Sequence, residues 1–430
     1  MNREILRLAL PNILSNISVP LISSVDTALM GHLSAAHLAA LGIGGMVFMF
    51  LYSSFGFLRM GTTGMTAQAY GAGERHDLSA TLYRALFLAV LLALPMLLFE
   101  RMIFEIAAWA MNVEPAYREL AREYFSIRIL TAPAVMLLYV STGFFFGVQN
   151  ARFPLYVTLW INILNVVASY ALVRYANWGI AGVAWGTVLA QYAGVAMALL
   201  LLRHYRDYLR RVSMRELFDW EALGRFFHVN RNIFVRTVAL TFSLAFFYAQ
   251  AAKGGETTLS VMIVLLQFMI WMSFAIDGFA NAAESLVGRY FGAKDWKNFD
   301  RAVQLSLGWG AGLALLFALI YWQGGEVMLR IFTDQQTVLR AAIPLLPLVA
   351  LLPLVAFAAF IYDGIFVGMT AVKAMRNAVL GATLLYLVSY WILEILLPRE
   401  TALWIAFMSF FLYRGVVQWW IFRQRGRGLE

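Results

Sequence analysis

ATLYRALFLAVLLALPMLLF, residues 80–99, is a run of twenty residues with a single charged side chain, Arg84. A helix of about 20 apolar residues crosses a bilayer whose hydrocarbon core is about 30 Å thick. The chain contains twelve such runs, at about residues 10–31, 38–60, 80–99, 120–148, 154–175, 179–202, 230–252, 257–280, 302–322, 339–368, 375–396 and 400–422. The sequence therefore predicts an all-α integral membrane protein with twelve transmembrane helices.

The overall composition supports a bilayer as the solvent. Hydrophobic residues make up 62% of the 430 positions and charged residues 13%, whereas a soluble domain is roughly half apolar and a quarter charged. The runs are continuously apolar, and the strands of a membrane barrel would instead alternate apolar and polar residues. A helical membrane protein is expected, and a soluble catalyst is not.

The distribution of basic residues predicts the orientation. With twelve spans, nineteen Lys and Arg residues fall on the side of the N-terminus and eight on the other side. Because cytoplasmic loops carry the excess of basic residues, both termini are predicted to lie in the cytoplasm, with the protein in the inner membrane. The net charge of +9 is attributed to these loops, so no nucleic-acid partner is expected.

Cysteine and histidine give little support to a metal site. The chain has no Cys and five His, which excludes disulfides and thiolate ligands, and the histidines show no HExxH or paired spacing. No metal and no other cofactor is expected.

The one long polar connection is RHYRDYLRRVSMRELFDWEALGRFF, residues 203–227. Ser213 and Glu216 have the spacing of a helix capping box, which favours a short interfacial helix, and a plain basic loop is the alternative. Its position near the middle of the chain suggests a first six-helix lobe at 1–202, a cytoplasmic linker at 203–229 and a second six-helix lobe at 230–430.

Short motifs in the two halves suggest an internal repeat. AQAYGAG at 67–73 aligns with GRYFGAK at 288–294, and GFFFGVQ at 143–149 aligns with GIFVGMT at 364–370, both at an offset of 221 residues. PNI at 11–13 aligns with RNI at 231–233, shifted by one. Six spans per half place both halves in the same orientation, and transporters built from such repeats carry substrate between them.

Asp26 is the clearest ionisable residue inside a predicted span, in SNISVPLISSVDTALMG, residues 15–31. A charged group there costs about 2.5–3.5 kcal/mol on insertion scales, and is a functional candidate for that reason. Pro20 removes a helix hydrogen bond nearby and can bend the span. Because burial favours the neutral carboxyl group, Asp26 is predicted to carry a proton reversibly. The alternative is a local hydrogen bond beside a wet cavity.

A second group of ionisable residues falls near the predicted cytoplasmic ends of spans: Arg59, Arg236, Asp277, Glu284 and Asp363. Arg59 belongs to the first half and the others to the second. These side chains are predicted to form an inner gate or a network that braces a lobe, and snorkelling of the arginines toward the interface is the alternative.

Polar and adaptable side chains in the first half predict a substrate cavity. Uncharged polar groups in membrane helices either bind an ion or substrate or hold helices together. The 33 Phe and 19 Met suit a cavity that repacks around varied apolar ligands. The residues assigned to this cavity are Asn162, Gln149, Tyr139 and Met30.

Several of these segments together resemble the multidrug and toxic compound extrusion (MATE) family, in particular its DinF-like branch. The matching segments are LPN at 10–12, VDTALMGHL at 25–33, FLRMGTTGMTAQAYGAG at 57–73, FGVQNARFP at 146–154, NILN at 162–165, DGFANAAESLVGRYFGAKD at 277–295 and IYDGIFVGMTAVKAMRN at 361–377. The resemblance implies a V-shaped pair of six-helix lobes. It also implies export of amphipathic, often cationic, drugs or toxins in exchange for protons or sodium ions.

The resemblance also assigns residues to a cation site in the first lobe. The family's first-span acid corresponds to Asp26, its fifth-span asparagine to Asn165 and its sixth-span threonine to Thr187. Many relatives carry a second acid four residues after that asparagine, where this chain has Ser169. A sodium ion would lose a carboxylate ligand there, so proton coupling through Asp26 is expected, with sodium as the alternative.

Other functions are considered as well. A flippase for lipid-linked oligosaccharides or lipids, from the same superfamily, would usually have extra spans or a more cationic cavity, which the sequence does not show. An integral membrane enzyme would need a nucleophile, a base or metal ligands that converge near one face, and no such set is found. The predicted protein is a monomeric secondary-active exporter that contacts drugs and membrane lipid.

Overall fold

The computed structural model describes residues 1–425, apart from the side chains of residues 19, 21–23 and 425. Within this part all regular secondary structure is helical, and no strand occurs. The helices of the first half are α1 (Asn2–Gly31), α2 (Ala35–Ser53), α3 (Phe57–Ala72), α4 (Arg75–Leu98), α5 (Glu100–Ala110), α6 (Pro115–Arg128), α7 (Ala132–Gly147), α8 (Arg152–Arg174) and α9 (Gly179–Leu202). Those of the second half are α10 (Met214–Leu217), α11 (Trp220–Lys253), α12 (Glu256–Gly292), α13 (Trp296–Phe332), α14 (Gln336–Ala342), α15 (Leu346–Gly368), α16 (Val372–Leu396) and α17 (Arg399–Arg425).

Eleven helical segments of the described residues are long and apolar enough to cross a membrane. They coincide with the second to the twelfth predicted runs, which confirms a multi-pass helical membrane protein. The first predicted run lies in α1, a helix of 30 residues, and the side chains of its residues 19 and 21–23 lie outside the described part.

Helix α3 extends farther than the sequence predicted. The second predicted run ends at about residue 60, whereas α3 continues to Ala72. The Thr63 hydroxyl donates to the Arg59 carbonyl oxygen at 2.9 Å, and the threonines at 62, 63 and 66 are buried. These polar side chains are compatible with a membrane helix because they lie inside the protein.

The described helices form two compact units. One contains residues 14–226, and the other contains residues 1–13 together with the chain from residue 227 onward. Helix α1 therefore contributes its first residues to the second unit and the remainder to the first. A Cβ atom added at Gly278 of α12 would lie 3.0 Å from the Ala9 carbonyl oxygen, so the beginning of α1 packs closely against α12.

Glycines bring equivalent helix pairs into close contact in the two halves. A Cβ at Gly143 of α7 would lie 2.5 Å from the Arg59 carbonyl oxygen of α3, and one at Gly364 of α15 would collide with the Ala280 carbonyl oxygen of α12. The two contacts are related by the predicted offset of 221 residues. Small residues allow membrane helices to approach in this way, and the shared contact supports the internal repeat.

The turns that end the aligned motifs also have the same backbone geometry. Gly73 and Lys294, the last residues of the first motif pair, have φ of 74° and 55°, and Gln149 and Thr370, the last of the second pair, have 65° and 54°. All four lie in the left-handed region, which side chains other than glycine seldom adopt. The repeat therefore preserves the turn even where the residue type differs.

The central connection contains the predicted capping box. The Ser213 hydroxyl accepts from the Glu216 amide at 3.3 Å, and the Glu216 carboxylate accepts from the Ser213 amide at 2.7 Å. The helix that follows, α10, is a single turn. Arg84 of α4 donates to the Glu216 carbonyl oxygen at 2.6 Å, and α11 already begins at Trp220, before the predicted start of the seventh span at residue 230.

Candidate cation site and substrate pathway

Helices α8 and α9 bring two of the predicted site residues together. The Asn165 side-chain amide donates to the Thr187 hydroxyl at 3.0 Å, and both residues are buried. The two helices approach closely here, and the approach is possible because Gly186 has no side chain. A Cβ at Gly186 would collide with the Ser169 hydroxyl. The buried oxygen Asn165 Oδ1 has no hydrogen-bond partner among the described residues, so it can accept a hydrogen bond or a cation.

Asp26 lies on α1 in the same compact unit, and its side chain is buried. Ser169 and Arg128 are the groups that interact with its carboxylate, and Ser169 lies one helical turn from Asn165 on α8. The Asp26 Oδ1 atom has no hydrogen-bond partner among the described residues. A buried carboxylate with such an oxygen can accept a proton or a cation, and the coupling role of Asp26 stays a prediction.

Arg128 was not identified from the sequence. It ends α6, and its guanidinium lies 4.9 Å from the ring centre of Phe48 and 5.3 Å from that of Tyr124. The sequence contained a usable signal, because residue 128 falls within the predicted span 120–148, and an ionisable group inside a span is a functional candidate. The same criterion that selected Asp26 would have selected Arg128.

The four residues predicted to line a substrate cavity make separate contacts. The Asn162 amide donates to the Ser18 carbonyl oxygen at 3.2 Å, and the Tyr139 hydroxyl donates to the Tyr52 carbonyl oxygen at 3.2 Å. Met30 is fully buried one turn after Asp26 on α1, and Gln149 lies in the turn after α7. Their assignment to one cavity stays a prediction.

The second unit contains a buried charge cluster around Asp363 of α15. Arg236 of α11 forms an ion pair with Asp363 Oδ2, Arg414 of α17 donates to the same oxygen at 3.1 Å, and Gln418 donates to Oδ1 at 2.7 Å. Arg236, Arg414 and Gln418 are all buried. Both carboxylate oxygens of Asp363 are therefore occupied by side chains of its own unit.

Sequence reasoning predicted Arg236 and Asp363 but missed Arg414 and Gln418. These two residues lie inside the twelfth predicted run, where the Phe and Tyr residues around them dominate the pattern. The Arg414 guanidinium lies 5.6 Å from the ring centres of Phe360, Phe410 and Phe411. Aromatic faces stabilise a cation electrostatically, which is how this part of the helix accommodates a buried arginine.

The remaining residues of the predicted gate lie on α3 and α12. Glu284 is buried and Asp277 half-buried in α12, and Asp277 interacts electrostatically with Arg414. In the other compact unit, the Arg59 guanidinium lies 6.0 Å from the ring centre of Phe146. Pairing of Arg59 with Asp277 or Asp363 stays a prediction. Among the described residues, no group of three or more His, Cys, Asp or Glu side chains is placed to hold a metal ion.

Comparison with solved structures shows the fold. A structure described as "Crystal structure of MATE in the bent conformation" superposes with a TM-score of 0.91, at 18% sequence identity, over 99% of this chain and 95% of the other. Another, described as the outward-facing conformation of a multidrug resistance MATE family transporter of the MOP superfamily, gives a TM-score of 0.88 at 18% identity, over 100% of this chain and 96% of the other. The similarity extends through the whole chain.

Comparison of sequences shows the family. The chain is 33% identical to the DNA damage-inducible protein F of Escherichia coli over 99% of this chain and 93% of that protein. It is 23% identical to the probable multidrug resistance protein NorM of Thermotoga maritima over 79% of this chain and 74% of that protein. The MatE family model matches twice, at residues 11–171 and 233–392, once in each predicted half. The chain belongs to the MATE family.

Proposed function

We propose that the protein is a secondary-active multidrug exporter that expels amphipathic, often cationic, drugs or toxins in exchange for protons. Membership of the MATE family and similarity to the NorM multidrug resistance protein support export as the activity. The observation that carries the proton coupling is the buried Asp26 carboxylate, whose Oδ1 has no hydrogen-bond partner among the described residues. Protonation there removes a charge that a cationic substrate would otherwise neutralise.

The surrounding polar groups support the same proposal. Asn165, Ser169 and Thr187 place an amide and two hydroxyls close to one another in the same unit as Asp26. A substrate ammonium group and a proton would compete for the same carboxylate, so binding one favours release of the other. Such competition couples the outward movement of a drug to the inward movement of a proton.

Two further assignments belong to the same proposal. We propose that Arg236 and Asp363 brace the second lobe, and that Arg59 and Asp277 contribute to an inner gate. We propose residues 1–202 and 230–430 as the two functional lobes, with a cytoplasmic linker at 203–229. The protein is proposed to act as a monomer in lipid of the inner membrane, with both termini in the cytoplasm, because basic residues concentrate on that side.

The test is efflux of a fluorescent cationic dye from proteoliposomes that contain the full chain. A proton gradient should drive efflux by the wild type, and a sodium gradient of the same size should not. Asp26→Asn should abolish the proton-driven component. Asp207→Asn makes the same chemical change at an exposed side chain and should leave efflux unchanged. Full activity of Asp26→Asn, or efflux driven by sodium alone, would overturn the proposed coupling.

A further inference from the structure

The central connection, residues 203–227, is attached to α4 by direct hydrogen bonds. The Arg84 side chain donates from two nitrogens to the carbonyl oxygens of Glu216 and Leu217, at 2.6 and 3.3 Å. Closer to the start of α4, the Ser79 hydroxyl accepts from the Arg210 amide at 2.8 Å. Backbone groups of the connection are therefore held at two levels along the same helix.

Two further contacts complete this attachment. The His76 ring lies 3.5 Å from the Glu216 carboxylate, and the rings of Phe87 and Phe218 meet edge to face with centres 5.2 Å apart. Positions 76, 79, 84 and 87 share one side of α4, because residues separated by three or eight positions lie on the same face of a helix. The first compact unit accordingly extends to residue 226. The connection is a docked part of that unit.

The acidic residues of the connection are all engaged by neighbouring groups. The segment contains six arginines and four acids. Each acid has a partner nearby in the chain: Asp207 with Arg206 at 3.6 Å, Glu216 with the Ser213 amide at 2.7 Å, Asp219 with the Ala222 amide at 2.9 Å, and Glu221 with Arg225 at 3.7 Å. Only two of the six arginines are used in these pairs.

The other four arginines remain exposed. Within the part of the chain that the structure describes, they form no ion pair. They are Arg203, Arg210, Arg211 and Arg215. The connection therefore presents uncompensated positive charge, which is complementary to an anionic surface.

Apolar and aromatic side chains are exposed among these arginines. Met214 and Trp220 are 74% and 87% exposed, and Tyr208 and Phe218 are exposed as well. The helices that flank the connection, α9 and α11, belong to membrane-spanning segments, so the connection lies near the bilayer surface. Basic residues mixed with exposed apolar side chains are typical of segments that bind anionic membranes. An acidic protein or a nucleic acid would match the charge but not the apolar side chains.

We infer that the central connection binds the headgroups of anionic phospholipids. Arg211 and Arg215 contact the lipid phosphates, and Met214 and Trp220 enter the boundary between headgroups and acyl chains. Because α4 holds the connection, a lipid bound there is bound to the first compact unit. The anionic charge of the cytoplasmic leaflet agrees with the proposed orientation. The inference goes beyond the proposed export activity and does not depend on the coupling ion.

The experiment uses a fluorescent reporter on the connection. The chain has no Cys, so Met214→Cys provides a single thiol for an environment-sensitive dye. The labelled full-length protein is reconstituted in phosphatidylcholine vesicles, with and without phosphatidylglycerol of the same acyl chains. Phosphatidylglycerol should shift the emission to the blue as the dye enters the lipid boundary. Inorganic phosphate added to phosphatidylcholine vesicles should not, because it has no acyl chains.

Charge variants of the labelled protein test the role of the arginines. Arg211→Gln/Arg215→Gln should lose most of the shift, because each basic residue near an anionic surface strengthens the attraction about fivefold. Lys294→Gln/Lys297→Gln removes two exposed positive charges from another loop and should keep the full shift. Added salt should reverse the shift in the labelled protein, because it screens exposed charges.

Three results would overturn the inference: equal emission in both kinds of vesicle, a shift produced by inorganic phosphate alone, or a shift that survives the loss of both arginines. Should the arginine variant resist reconstitution, the salt dependence decides, and a shift that is insensitive to salt would count against lipid binding through charge. All these variants leave Asp26 unchanged, so failure here is distinct from failure of the proposed coupling.

Discussion

The two compact units each bury an aspartate, and the two side chains have opposite surroundings. Asp363 receives hydrogen bonds from two arginines and a glutamine of its own unit, which occupy both carboxylate oxygens. Asp26 interacts with Arg128 and Ser169 and keeps one oxygen without a hydrogen-bond partner among the described residues. Burial of an aspartate alone therefore indicates little about its role. The number of side chains that donate hydrogen bonds to its carboxylate indicates more.

The largest expected effect is on stability at Asp363. Replacing Asp363 by Asn should destabilise the protein by about 3–5 kcal/mol, because Arg236 and Arg414 would lose the carboxylate that neutralises them. The measurement is thermal or denaturant unfolding in detergent, compared with Asp26→Asn. The Asp363→Asn variant should lose much more stability than the Asp26→Asn variant. An Asp363→Asn protein with wild-type stability and no transport would instead make this aspartate a transport group.

Substitution of the close-contact glycines should lower stability by similar amounts in the two halves, whereas substitution of the two buried aspartates should not. Gly143→Ala and Gly364→Ala each place a methyl group against a carbonyl oxygen of the neighbouring helix, and overpacking of this kind costs about 1–3 kcal/mol. Unfolding measurements on the two variants should therefore give similar losses. Gly45→Ala has open space around it and serves as the control, with no loss expected. A loss confined to one half would show that the repeat does not share its packing.

A smaller effect is expected where α8 meets α9. Thr187→Val keeps the shape of the side chain and removes the hydroxyl that accepts from Asn165. A single hydrogen bond between membrane helices contributes about 0.6 kcal/mol on average, so the loss of stability should be small. Dye efflux should fall more than stability does if these groups serve ion or substrate binding. Equal and small changes in both measurements would limit Thr187 to packing.

The smallest effect concerns Asp295, which precedes α13 outside the membrane spans. The backbone amide and side-chain amide of Asn298 donate to its carboxylate at 3.1 and 2.7 Å and hold the pKa of Asp295 below its usual value. Because the folded pKa is the lower one, this contribution to stability is present above the unfolded pKa and is lost as pH falls through the folded pKa. The difference in unfolding midpoint between wild type and Asp295→Ala should shrink with acidification. A difference that is constant with pH would contradict this account.

The helices and the repeat were predictable from the sequence because each depends on local information. A continuous apolar run specifies a membrane span wherever it occurs, and the two pairs of aligned motifs end in turns with the same backbone geometry. The end of the second span was less well predicted, because α3 continues past residue 60 with polar threonines that are buried inside the protein.

The candidate site was predictable only in part. Asp26 was found because a lone carboxylate in a span is conspicuous, whereas Arg128, Arg414 and Gln418 become meaningful only when their neighbours are known. Which face of a helix meets which neighbour depends on packing between distant segments, and no periodicity in one helix specifies it. The contacts of Asp363 with α11 and α17 are of this kind.

The left-handed turns that close the aligned motifs show what the two halves share. Gly73 in one half and Lys294 in the other adopt the same backbone conformation, although only glycine does so without strain. The shared turn is therefore a property of the backbone architecture of the repeat, and it does not depend on a glycine at this position.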